Sequence, residues 1–111
     1  MKISEQRHGA VTVIRPAGVL SGTDAEEVKG RLLEVLKTTC GRFVIDASEI
    51  AFVDGSGLEM LLDVTEEMNR TGQALKLCTA NETVSQIMEL TGLMPLFEFF
   101  RDVNTAVRSF L

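Results

Sequence analysis

A chain of 111 residues is the length of one domain, taken as residues 1–111, and can bury a core without disulfide or metal staples. Sixteen acidic against eleven basic side chains leave a net charge of −5, which argues against nucleic acid, whose phosphates are held chiefly by Lys and Arg, and favours a basic protein surface as partner. No stretch approaches the ~20 apolar residues of a membrane-crossing helix, and the opening MKISEQRHGA is too polar for a secretory signal, so a cytoplasmic protein without membrane insertion is expected.

Val11–Ile14 is β-branched throughout and reads as a strand ended by Pro16, which cannot donate a ladder hydrogen bond. Gly18 to Gly22 reads as a turn. Thr23 with Glu26 three residues on has capping-box spacing, and Ala25, Val28, Leu32, Val35 and Leu36 recur at helical period, predicting a helix to Lys37. The unbroken apolar run Phe43-Val44-Ile45 predicts a strand buried on both faces, which needs helices over it. Asp46 at its end is placed to accept loop N–H groups. Beyond the loop Asp54-Gly55-Ser56-Gly57, a stripe of Leu58, Leu61, Leu62, Thr65 and Met68 predicts a second helix, with Glu59, Asp63, Glu66 and Glu67 on its opposite side.

Gly72 stops that helix, and Ala74–Cys78 reads as a strand parallel to the central one if an ordinary helical crossover joins them. A third helix is predicted over Glu82 to Thr91. After Gly92 and Pro95, a short apolar piece at Leu96-Phe97 leads to a last helix with the stripe Val103, Ala106, Val107 and Phe110. Phe97, Phe99 and Phe100 cannot all point inward from one strand face, so one is expected to be exposed for a partner. The expected fold is therefore a single α/β domain with a mixed four- to five-stranded sheet and about four helices.

The loop at Asp54–Gly57 is where chemistry would concentrate. The first N–H groups of a helix lack intrahelical acceptors, so an anion on or near Ser56 would be favoured by up to ~1 kcal/mol. Ser56 with Glu59 also fits a capping box, and Asp54 could cap instead. A serine nucleophile would need a positioned base, and the single histidine, His8, lies near the N-terminus and reads as a surface residue; no catalytic residue is assigned. Gly55-Ser56-Gly57 lacks the glycine spacing and lysine of a phosphate-binding loop. Cys40 and Cys78 fit no metal-ligand spacing and read as small apolar side chains in a reducing compartment, so neither metal nor cofactor is expected.

The strand FVIDAS followed by AFVDGSGLEML resembles the core of the STAS domain, the fold of bacterial anti-sigma-factor antagonists and of the cytoplasmic tails of some anion transporters. Pro16-Ala-Gly-Val-Leu before a helix resembles the family's Gly-Glu-Leu-Asp segment, and Ile87-Met-Glu-Leu-Thr-Gly-Leu resembles its Leu-Thr-Gly-Leu helix end. The resemblance implies a non-enzymatic regulatory module that grips a basic protein partner, an anti-sigma factor or serine kinase-like regulator, through Asp54, Gly55, Ser56, Gly57, Glu59 and Asp63. Ser21 and Gly22 would form a supporting turn, with Asp46 at the strand end. In phosphorylated antagonists the acceptor serine directly follows the loop aspartate, and a phosphate there would break the complex by clash or repulsion. Gly55 occupies that position here, which leaves Ser56 as the candidate phosphoacceptor, and Ser21 stands where the family usually places an aspartate. The alternative implied is a non-phosphorylated STAS subunit of a transporter or signalling assembly.

Overall fold

The computed structural model describes residues 1–111, and its sheet is organised by one long strand that feeds three partners. Strand β2, Val11–Leu20, runs antiparallel to β1, Lys2–His8, with every β1 residue in register from Lys2↔Ala17 to His8↔Val11. On its other side β2 pairs in parallel first with β3, Phe43–Asp46, and then with β4, Ile50–Val53. Strands β5, Leu75–Cys78, and β6, Phe97–Phe100, extend the sheet in parallel beyond β3, giving the order β1-β2-β3-β5-β6 with β4 alongside the end of β2. The sheet thus has six strands rather than four to five. The predicted mixed α/β class holds.

The two unpredicted strands have weak patterns for different reasons. β1 carries a single aliphatic side chain, Ile3, within Lys2–His8, and is an edge strand held by its pairing with β2. In β4 the burial runs buried-exposed-exposed-buried, because the register shifts between Gly18 and Val19, so that Gly18 faces Ile50 while Val19 faces Phe52. A bulge of this kind breaks the alternation that marks a strand in sequence. β2 itself continues past Pro16 to Leu20, so no turn spans Gly18–Leu20. Pro16 lies between the stretches paired to β3 and to β4, where β2 has no residue in register on that side.

Helices α1, Gly22–Thr39, α2, Gly55–Asn69, and α3, Glu82–Leu90, cover one face of the sheet over a core of 20 buried residues. The short helix α4, Val103–Arg108, covers part of the other face with Val11, Val44 and Cys78 beneath Ala106. With helices on both sides, Phe43 and Val44 are fully buried on opposite faces, as the apolar run predicts. The same two-sided cover accounts for all three phenylalanines of β6. Phe97 and Phe99 pack edge-to-face against the main core, with ring centroids 6.2 Å apart, while Phe100 lies against the α4 cluster, so none is left free for a partner.

Helix α1 starts earlier than the capping box predicts. The N–H groups of Asp24 and Ala25 both reach the Ser21 carbonyl, making Ser21 the cap position and placing Thr23 inside the first turn; the Ser21 hydroxyl makes no capping bond. At the far end Cys40 adopts a left-handed conformation (φ 53°) and is exposed, so only Cys78 is the buried apolar thiol expected. Burial pushes the Cys78 thiol above its ordinary range.

The buried side of α2 is Gly57, Met60, Leu61, Val64, Thr65 and Met68, while Leu58 and Leu62 sit at its margin. Thr65 is 3% exposed, and its hydroxyl has no hydrogen-bond partner. A buried, unpaired hydroxyl costs about 1–3 kcal/mol, so the near-isosteric Thr65→Val is expected to raise stability by about 1 kcal/mol. A urea midpoint that falls in Thr65→Val at unchanged m-value would refute this reading.

Candidate functional site

The carboxyl ends of β2 and β4 and the start of α2 meet at one end of the sheet. Leu20 and Val53 are in register there, and the Asp54 N–H donates to the Leu20 carbonyl at 3.2 Å, tying the end of β2 to the entrance of α2. Ser21 and Gly22 follow directly, so the turn predicted to support the loop adjoins it, with Gly22 at φ +52°.

Asp54 is the cap of α2. Its carboxylate accepts from the Gly57 N–H at 3.0 Å, and its carbonyl accepts from Leu58 at 2.9 Å. Ser56 is therefore the second residue of the helix and not its cap. No Ser56–Glu59 capping box forms, and the exposed Ser56 hydroxyl makes no hydrogen bond. Gly55 begins the helix with an ordinary φ, and a Cβ there would meet no atom within 4 Å. Gly57 is the opposite case: a Cβ would press into the Leu20 carbonyl and come within 2.7 Å of Val53 Cγ1. One glycine of the loop is open to solvent, and the other lets the helix lie against the strands.

The acidic residues of α2 separate in the structure. Glu59 is exposed beside the loop. Asp63 turns instead toward α1 and pairs with Lys29 at 2.8 Å, so it belongs to the helix–helix contact and is not a free member of the loop surface. That pairing raises the Lys29 pKa, chiefly through the Asp63 hydrogen bond. Asp46 is buried at the end of β3 and accepts from the Ser48 N–H at 3.0 Å, the loop-holding role expected of it. No three His, Cys, Asp or Glu side chains converge on a metal position.

Two apolar residues that sequence reasoning does not single out complete this surface. Val19 and Phe52, partners across β2 and β4, are 42% and 45% exposed. A cross-strand apolar pair open to water beside Gly55 and Ser56 is a natural anchor for a protein partner. The bulge aims them outward, and in sequence each looks like one more apolar residue of a buried run. Asn81 braces the same end of the sheet: its side chain caps α3 through the Val84 N–H at 2.8 Å and donates to the Ile50 carbonyl of β4 at 2.7 Å.

Comparison with known proteins agrees with this architecture. The STAS domain family model matches residues 2–106. The anti-sigma F factor antagonist of Paenibacillus polymyxa is 24% identical over 102 residues, covering 88% of this chain and 87% of its own length. Among solved structures, an anti-sigma factor antagonist from Mycobacterium paratuberculosis superposes with a TM-score of 0.83 at 19% identity, over 97% of this chain and 92% of that one. The phosphorylated form of the Bacillus cell fate determinant SpoIIAA superposes with a TM-score of 0.70 at 17% identity, over 97% and 99% of the two chains. No helix is long and apolar enough to cross a membrane.

Proposed function

The chain belongs to the STAS domain family, and we propose that within it this protein is a non-enzymatic, cytoplasmic regulatory module that binds a kinase-type anti-sigma factor as an antagonist. The observation that carries this reading is the exposed Val19–Phe52 pair beside the start of α2. An apolar centre with a rim made by Asp54, Ser56 and Glu59 has the layout of a protein interface, in which buried aromatic anchors supply most of the energy and charges set partner and orientation. The acidic rim and net charge of −5 favour a basic counterpart. Resemblance to an anti-sigma F factor antagonist supplies the partner class.

Gly55 stands where phosphorylated antagonists carry the acceptor hydroxyl, so binding here is constitutive with respect to that switch. Ser56 is free of capping duty, but it lies one residue on, turned about 100° around the helix.

Phe52→Ala is the direct test. The residue is exposed, so the fold should survive, while truncating an aromatic anchor is expected to weaken binding by about 2 kcal/mol, roughly 30-fold. Calorimetry against the anti-sigma-factor kinase of the same genome reads this out. Unchanged affinity in a folded variant would move the interface away from the β2–β4 end.

A further inference from the structure

Strand β1 is an open edge of the sheet, and the ladder on its paired side fixes which of its groups face outward. The N–H groups of Thr12 and Gly18 donate to the Arg42 and Glu49 carbonyls at 3.0 Å, so the even-numbered residues of β2 turn their backbone groups away from β1. The odd-numbered ones bond β1, and their partners there are Lys2, Ser4, Gln6 and His8. The N–H and C=O groups of Ile3, Glu5 and Arg7 therefore point outward with no strand to meet them. The side chains of these three share the α1 face: Ile3 packs against the main core, and Glu5 is held by Arg31 of α1. Arg7 is exposed and makes no ion pair. Beside that face, between β1 and α1, lies a shallow cavity of about 440 Å³ in which Glu5, Glu26, Glu27 and Glu34 outnumber a single cation, Arg31.

We propose that β1 pairs antiparallel with β1 of a second copy about a two-fold axis through Gln6, joining two six-stranded sheets into one. An unpaired edge of seven residues is a template for another strand, and its charges select both occupant and register. A two-fold normal to the sheet keeps the same face of both copies on the same side, so residues that stand opposite each other share a face. Centred on Gln6, it sets Glu5 against Arg7 of the second copy and Arg7 against the second Glu5. Each of these pairs exchanges two backbone hydrogen bonds through the groups that face outward. Centred on Glu5 or on Arg7, the axis would bring like charges together, and centred on Ser4 it would set Glu5 against Ile3. In the favoured register Arg7 of the second copy also enters the acidic cavity beside Glu5. A foreign strand would need the same order of acid and base, which a second copy supplies by symmetry. Helix α1 packs over β2 and β3 and not over β1, so the two α1 helices stand apart across the new strand pair. Strand direction reverses across the axis, which puts the two Val19–Phe52 surfaces at opposite ends of the dimer and leaves both open.

Sedimentation equilibrium over a concentration series tests this. The wild-type chain is expected to dimerise, and Arg7→Glu to weaken dimerisation by roughly tenfold or more, since the reversal sets Glu against Glu on both sides of the axis. Arg7→Pro removes an outward N–H without touching the ladder to β2, and is expected to weaken the dimer at least as much. Glu5→Arg alone should also dissociate it, whereas Arg7→Glu and Glu5→Arg mixed in equal amounts should pair, because every Arg then faces a Glu. Circular dichroism controls for folding of each variant, and the two Arg7 variants leave the Glu5–Arg31 contact intact. A wild-type chain that stays monomeric at all concentrations, a dimer that tolerates either Arg7 variant, or a mixture of folded variants that fails to pair would each overturn the proposal.

Discussion

Gly57→Ala is expected to be the most damaging single-methyl substitution at the head of α2. A Cβ at this position collides with the Leu20 carbonyl, a backbone atom that cannot rotate aside, and with Val53 Cγ1 at 2.7 Å. Both strands are fixed where they meet it: Leu20 and Val53 are 1% and 2% exposed, and the Leu20 carbonyl already accepts the Asp54 N–H. The helix must therefore lift, losing the Asp54 cap along with its packing. Overpacking typically costs about 1–3 kcal/mol, and a lost cap adds about 1 kcal/mol, so a loss of about 2–4 kcal/mol is expected in urea denaturation. Gly55→Ala is the matched control. Its Cβ would stand in open space at an ordinary helical φ, so the expected effect is a gain of about 0.4–1 kcal/mol from a less flexible unfolded chain. Equal urea midpoints for the two variants would mean that α2 does not sit against Leu20 as described.

The elements legible in the sequence are those in which one physical signal acts alone. Phe43–Ile45 is buried on both faces and reads as an apolar run, and α1 and α2 have amphipathic period. What escapes depends on contacts between distant segments. β1 exists because β2 offers it an edge, and its own composition is nearly all polar. The stripe of α2 is misplaced at its margins because the helix is wedged between α1 and the sheet, which buries Met60 and Val64 more deeply than Leu58 and Leu62. Asp63 looks like part of a solvated acidic face until α1 brings Lys29 across from 34 residues away.

The candidate site shows the same division. Its loop is visible as Asp54-Gly55-Ser56-Gly57, but its apolar centre is not, since nothing in the sequence records that a register shift opposite Gly18 turns Phe52 and Val19 to solvent. Similarly, whether serine or aspartate caps α2 could not be decided from spacing, because both residue types are good caps. Geometry gives the cap to Asp54 and leaves Ser56 unbonded.

That assignment frames the last prediction, Gly55→Ser. The structure gives Gly55 an ordinary helical φ and empty space around its Cβ, so a serine fits without strain and places a hydroxyl directly after the loop aspartate. The variant is expected to become a substrate for the anti-sigma-factor kinase of the same genome, while the wild-type chain takes up little phosphate. A phosphoserine there brings a charge near −2 to the rim of the Val19–Phe52 pair. Desolvating that charge against an apolar anchor costs several kcal/mol, so partner affinity should fall by at least about a hundredfold, ~3 kcal/mol. The helix N-terminus offsets only up to ~1 kcal/mol of local repulsion within the free chain, which keeps the phosphorylated variant folded without rescuing the complex. Intact mass and peptide mapping locate the phosphate, and calorimetry before and after kinase treatment measures the loss. Stoichiometric phosphate on Ser56 of the wild-type chain, abolished by Ser56→Ala and accompanied by a change in partner affinity, would show that the acceptor has moved along the helix and that this chain is switched after all.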